Sequence, residues 1–148
     1  MSSDLIYNKQ MSSPAAAQNG RKLVLSVDDQ LTVLYTRYKL LSDEGYAVLS
    51  ATDGVQALQI FGSNPVVDLV VLDFMLQRMD GGLVADAMKA HQPNVPILMV
   101  SGVEVPEECI AKVNAFVRKG DGPDPMLKSI RELTASKPIR LVPRQVAC

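Results

Sequence analysis

Tryptophan is absent from this 148-residue chain, histidine occurs once and cysteine twice. Each scarcity excludes something. Cys109 and Cys148 cannot build a disulfide framework, and they fit a protein of the reducing cytoplasm. The lone His91 leaves no zinc-type ligand cluster and reads as a solvated residue near a helix end. No apolar run approaches the ~18 residues that a membrane-spanning helix needs, so no membrane insertion is expected. A net charge of −1 gives no overall attraction to nucleic acid or an anionic surface. No basic reading helix is visible either, and no DNA partner is expected.

What remains is the composition of an ordinary globular domain, 47% hydrophobic and 21% charged. Residues 1–20 have neither the basic start nor the apolar core of a signal peptide, and their Ser and Ala content predicts a flexible leader. Residues 136–148, with Lys137, Arg140 and Arg144 dispersed among two prolines, read as a tail without an effector domain. The folded unit is expected over 21–135.

Within it, short β-rich runs alternate with helical patterns. Leu23–Val27, Tyr46–Ala51, Asp68–Asp73, Asn94–Ser101 and Ala115–Arg118 are the predicted strands. Leu31, Leu34, Tyr35, Tyr38 and Leu41 mark the inner face of a first helix, and Val55, Leu58 and Phe61 that of a second, capped by Thr52 or Asp53. Leu83, Val84, Ala87 and Met88 form the stripe of a third. Pro106–Val113 is a short fourth, and Asp124-Pro125 starts a fifth, with Met126, Leu127, Ile130 and Leu133 inward. Five strands alternating with five helices predict an α/β, doubly wound, five-stranded parallel sheet.

Four of those runs stop on reactive polar residues. The first ends at Asp28-Asp29, the third at Asp73, the fourth at Ser101 and the fifth at Arg118-Lys119. In an open parallel sheet, the crevice lies beyond the carboxyl ends of the strands. Three carboxylates meeting there repel one another, and a hard divalent cation, Mg2+ above all, relieves that repulsion. Any one of these aspartates alone is as readily a turn or cap residue. All three, with Ser101 and Lys119, point to a phosphoryl and metal site.

The stretches Val27-Asp28-Asp29, Leu72-Asp73, Met79-Asp80-Gly81, Val100-Ser101-Gly102 and Phe116-Val117-Arg118-Lys119 stand in the order and spacing of a known family. Over about residues 21–135 the chain resembles the receiver domain of two-component response regulators. The resemblance implies a flavodoxin-like sheet with strand order 2-1-3-4-5. It implies that Asp73 accepts a phosphoryl group from a phosphohistidine on a sensor histidine kinase or histidine phosphotransfer protein. By the same resemblance Asp28, Asp29, Asp73 and the backbone carbonyl of Met75 hold Mg2+. Ser101 and Lys119 meet the phosphoryl group, and Phe116 is the switch aromatic. A phosphoacceptor of this kind is a signalling domain in a phosphorelay rather than an enzyme, and its output runs through a downstream protein.

The chain departs from the family's pattern in four places, the mildest being Ser101 for the commoner threonine, which keeps the hydroxyl. Gly120 follows Lys119 where proline is usual, so a trans peptide and another loop route are expected, with Lys119 less firmly held. Gln77 replaces a common proline after the acceptor. The stretch from Ser101 to Phe116 is short by about four residues, one helical turn, which predicts a weakened output face. These departures motivate the alternative of a degenerate receiver that binds proteins independently of phosphorylation. An aspartyl-phosphate hydrolase fits less well, because Met75 cannot serve as the second acid such enzymes carry two residues on.

Overall fold

The computed structural model describes residues 20–64 and 66–135. The expected leader (save Gly20) and tail lie outside these residues. Five strands, β1 (Leu23–Val27), β2 (Ala47–Ala51), β3 (Leu69–Asp73), β4 (Ile97–Ser101) and β5 (Ala115–Arg118), form one sheet of order β2-β1-β3-β4-β5. All four pairings are parallel. This is the doubly wound order expected from the sequence. Every residue of β1 to β4 is buried. Helices cover both faces, which is why these strands are continuous apolar runs rather than alternating ones.

Helices α1 (Leu31–Asp43) and α5 (Pro123–Ala135) pack on one face, while α2 (Gly54–Ser63), α3 (Gly81–His91) and the single turn α4 (Glu107–Ile110) lie on the other. Alternate strand residues feed two cores. Leu25, Val27, Val70, Leu72, Ile97 and Met99 meet Ala57, Phe61, Val84 and Met88. Val24, Val71, Leu98 and Val100 meet Leu41, Met126 and Ile130. Burial of these apolar faces, at roughly 25 cal/mol per Å², is the main force holding the layers together.

Some helix faces are rotated from the predicted ones. In α2 the buried residues are Gly54, Ala57 and Phe61, and Val55 points to solvent. In α3 they are Gly81, Gly82, Val84, Ala85 and Met88, while Leu83 and Ala87 are exposed. Both helices bury small residues because they approach the sheet and each other closely; a Cβ on Gly54 would come within 2.8 Å of Met79 Sδ. Counting large apolar residues alone misses that. Asp53 and Asp80 cap α2 and α3, accepting from Gln56 N and Leu83 N. Helix α4 runs over only four residues, shorter than the predicted Pro106–Val113, and none of its residues is fully buried. Helix α5 begins at Pro123 rather than after Asp124-Pro125, because Gly122 at φ 82° reverses the chain and leaves Pro123 at the first helical position.

Candidate functional site

The parallel register sets the strand ends level, so side chains that follow or close β1, β3 and β4 share one edge. Asp28 is fully buried after β1, Asp29 beside it is half-buried, and Asp73 at the end of β3 is 3% exposed. One carboxylate oxygen from each of the three lies within 4.8 Å of the others. Lys119 Nζ reaches into this group from beyond β5, 2.8 Å from Asp28 Oδ2 and 3.3 Å from Asp73 Oδ2. The aspartates and the lysine named from the sequence are therefore brought together.

The loop after β5 takes the different route expected from Gly120. Lys119–Asp121 forms a 3-10 turn, closed by Gly122, and the described residues contain no cis peptide bond. Lys119 is consequently held by two carboxylates rather than loosely, contrary to the expectation drawn from the missing proline.

Ser101 is buried at the end of β4, but its hydroxyl is engaged locally. It accepts from Val103 N at 3.0 Å and donates to Val103 O at 2.8 Å. Phe116 pairs in register with Met99 and lies half-buried against the α2–α3 core. Met75 N donates to Asp73 Oδ1 at 3.4 Å, and an antiparallel bridge from Met75 to Asp80 closes the loop back on itself.

Two residues of the site were given no role by sequence reasoning. Arg37, on the inner face of α1, is 4% exposed and lies beneath the acidic pocket. Its guanidinium donates to Ser26 Oγ at 3.0 Å and to Asp28 Oδ2 at 3.4 Å. An arginine on a helix with Tyr38 and Lys39 beside it looks solvent-facing, and only its helical phase with Leu34 and Leu41 marks it as inward. Gly81 is the other. Its N–H donates to Phe74 O at 2.6 Å, and a Cβ there would stand 2.6 Å from Asp73 O. The turn carrying Asp73 is thus clamped against the start of α3.

Electrostatics follow from this crowding. The Asp73 carboxyl is pushed above its ordinary range by burial first and by neighbouring Asp28 second, with Lys119 pulling the other way. Burial lowers the Arg37 pKa against the pull of Asp28 and Asp73; a guanidinium nonetheless stays charged at neutral pH. Three oxygen-donor carboxylates facing a shared space suit a hard cation such as Mg2+ rather than a soft one. A buried carboxylate with an ammonium at its side suits acceptance of an electrophilic, anionic group.

A parallel sheet of this order, with an acid triad and a lysine at its strand ends, is a doubly wound α/β domain whose crevice lies at the carboxyl ends of its strands. The response regulator receiver domain family matches residues 24–131, and the chain belongs to that family. Response regulator MprA of Mycobacterium sp. (strain KMS) is 31% identical over 145 residues, covering 82% of this chain and 63% of its own length. MprA of Mycobacterium leprae (strain TN) is 34% identical over 92 residues, or 62% of this chain and 40% of its own. The chain thus spans less than two thirds of the curated relatives' length, and they lend no support to the expectation of a stand-alone unit. Among solved structures, chemotaxis protein CheY4 of Vibrio cholerae superposes with a TM-score of 0.71 at 26% identity, over 76% of this chain and 98% of that one. The receiver domain of NtrX from Brucella abortus gives 0.70 at 28%, over 77% and 99%. Response regulator TrrA of Thermotoga maritima, solved with Mg2+ and BeF, shares the fold at 0.72 and 24% identity, over 76% and 98%.

Proposed function

We propose that Asp73 accepts a phosphoryl group from a phosphohistidine on a sensor histidine kinase or histidine phosphotransfer protein, and that the protein relays this mark in the cytoplasm by protein contacts. The observation that carries the reading is the convergence of Asp28, Asp29 and Asp73 with Lys119 Nζ only 3.3 Å from the Asp73 carboxylate. An Asp73 oxygen attacks phosphorus while the bond to the imidazole nitrogen breaks and its electron pair stays with the imidazole. Such a transfer needs placement and charge neutralisation more than covalent assistance.

The chain's own groups divide that work. Lys119 neutralises charge on the incoming group and keeps Asp73 oriented. Asp28, Asp29, Asp73 and the Met75 carbonyl form the donor set for Mg2+, which would supply further charge neutralisation when bound. The Ser101 hydroxyl leaves Val103 to donate to a phosphoryl oxygen, which vacates space beneath β4, and Phe116 swings into that space. The acyl phosphate is a mixed anhydride that water cleaves, so the protein is a stoichiometric, reversible acceptor rather than a turnover enzyme. The convergence of Asp28, Asp29, Asp73 and Lys119 supports this reading over the degenerate alternative.

Intact mass after treatment with acetyl phosphate and Mg2+ tests the reading. Wild type should gain one phosphoryl group, and Asp73→Asn none. An unmodified wild type, or equal labelling of the variant, would overturn it.

A further inference from the structure

Arg37 has no part in the phosphoryl chemistry above, yet it is the most deeply buried cation of the pocket. Its two anchors explain why it stays there. Ser26 and Asp28 both accept from it, one from each terminal nitrogen, and Asp28 itself is completely buried. Lys119 differs: its side chain is 29% exposed, so it has room to follow an incoming group. The pocket therefore has one adaptable cation and one fixed cation.

We infer that Arg37 is a permanent internal counter-ion that holds the acidic pocket together without a divalent ion and sets a ceiling on its affinity for Mg2+. This inference rests on the metal reading of the pocket given above. Three carboxylates with Arg37 and Lys119 leave a net charge of −1, whereas Lys119 alone would leave −2. A cation entering the less negative pocket gains less Coulomb energy, and the interaction is strong because the group is out of bulk solvent. Salt screens it little for the same reason. Asp28 Oδ2 already receives Lys119 and Arg37, and Asp28 Oδ1 accepts from Gln30 N at 3.0 Å. The carboxylate is thus oriented and satisfied before any metal arrives. Arg37 acts on the metal through Asp28 and through space, which makes it a positioning residue.

Replacing the charge should tighten metal binding while weakening the metal-free fold, a pairing that loss of packing alone does not produce. Arg37→Gln keeps hydrogen-bonding capacity toward Ser26 and Asp28, Arg37→Met keeps the apolar stem, and Arg37→Lys keeps the charge. With no tryptophan in the chain, Mg2+ is titrated by calorimetry and by amide NMR shifts near residues 28, 29 and 73. Arg37→Gln should bind Mg2+ about tenfold more tightly than wild type, with Arg37→Lys close to wild type. Thermal unfolding in chelator and in saturating Mg2+ should show the larger metal-dependent gain for Arg37→Gln and Arg37→Met. Should Arg37→Met fold only with Mg2+ present, that supports the inference. Equal Mg2+ affinity in wild type and Arg37→Gln overturns the role of Arg37 and leaves the pocket reading intact. Failure of both to bind Mg2+ overturns the two together.

Discussion

At the scale of single residues, Asp73 sits in a conflict between function and stability. Its carboxylate is buried next to Asp28, and both burial and that neighbour favour the protonated form, so its pKa in the fold lies above the unfolded value. The folded state then binds the proton more tightly than the unfolded one. Stability contributed by this residue falls as pH rises from the ordinary aspartate range through the raised pKa, and the penalty is fully present above it. Asp73→Asn removes the charge and keeps an acceptor for Lys119. In chelator at neutral pH this variant should be more stable than wild type by about 1 kcal/mol, or roughly 2–4 °C in Tm. Its advantage should vanish below the ordinary aspartate pKa. Circular dichroism melts across acid to neutral pH measure this, and a variant less stable than wild type at every pH would refute the repulsion on which the metal reading depends.

At the scale of elements, glycine decides how closely a helix approaches a strand end. Gly81 begins α3 against the backbone of Asp73 and Phe74, where a Cβ would stand 2.6 Å and 2.8 Å from backbone atoms that cannot yield. Gly62, inside α2, is the opposite case: a methyl added there would meet nothing within 4 Å. Gly81→Ala should therefore destabilise the protein by about 1–3 kcal/mol and slow phosphoryl uptake, since it displaces the Asp73 turn. Gly62→Ala should stabilise by about 0.5–1 kcal/mol through helix propensity alone. Urea denaturation of the pair checks both signs, and a neutral Gly81→Ala would mean that α3 is free to shift. The same glycines explain what was legible in the sequence. Strand ends at Asp28, Asp73 and Ser101 stood out because apolar β runs stop there abruptly, and the acid triad followed from the fold's crevice. The faces of α2 and α3 did not, because Gly54, Ala57, Gly81 and Ala85 bury little apolar area and give a faint periodic signal. Arg37 was hidden by its chemistry: a buried charge is read from its partners, Ser26 and Asp28, and these come from a different element.

At the scale of the whole molecule, the switch proposed above would carry a change at Asp73 outward through the segment between Ser101 and Phe116. That segment is thin here. Helix α4 has four residues, none fully buried, and its first-turn acids Glu107 and Glu108 face solvent. A single exposed turn opens at little cost and has few contacts through which to transmit a rearrangement. The Ser101 hydroxyl, by contrast, holds the Val103 N–H directly. When that hydroxyl turns toward a phosphoryl oxygen, the Val103 amide loses its acceptor. Hydrogen exchange with and without Mg2+ and beryllofluoride should therefore show faster exchange at Val103, slower exchange around residues 73–82 and 119–122, and little change over 104–114, where protection is low in both states. Strong new protection across 104–114 would show that α4 orders on activation, and the output face would then be an induced helix rather than a weakened one. The opposite result would fit a weakened output face at α4.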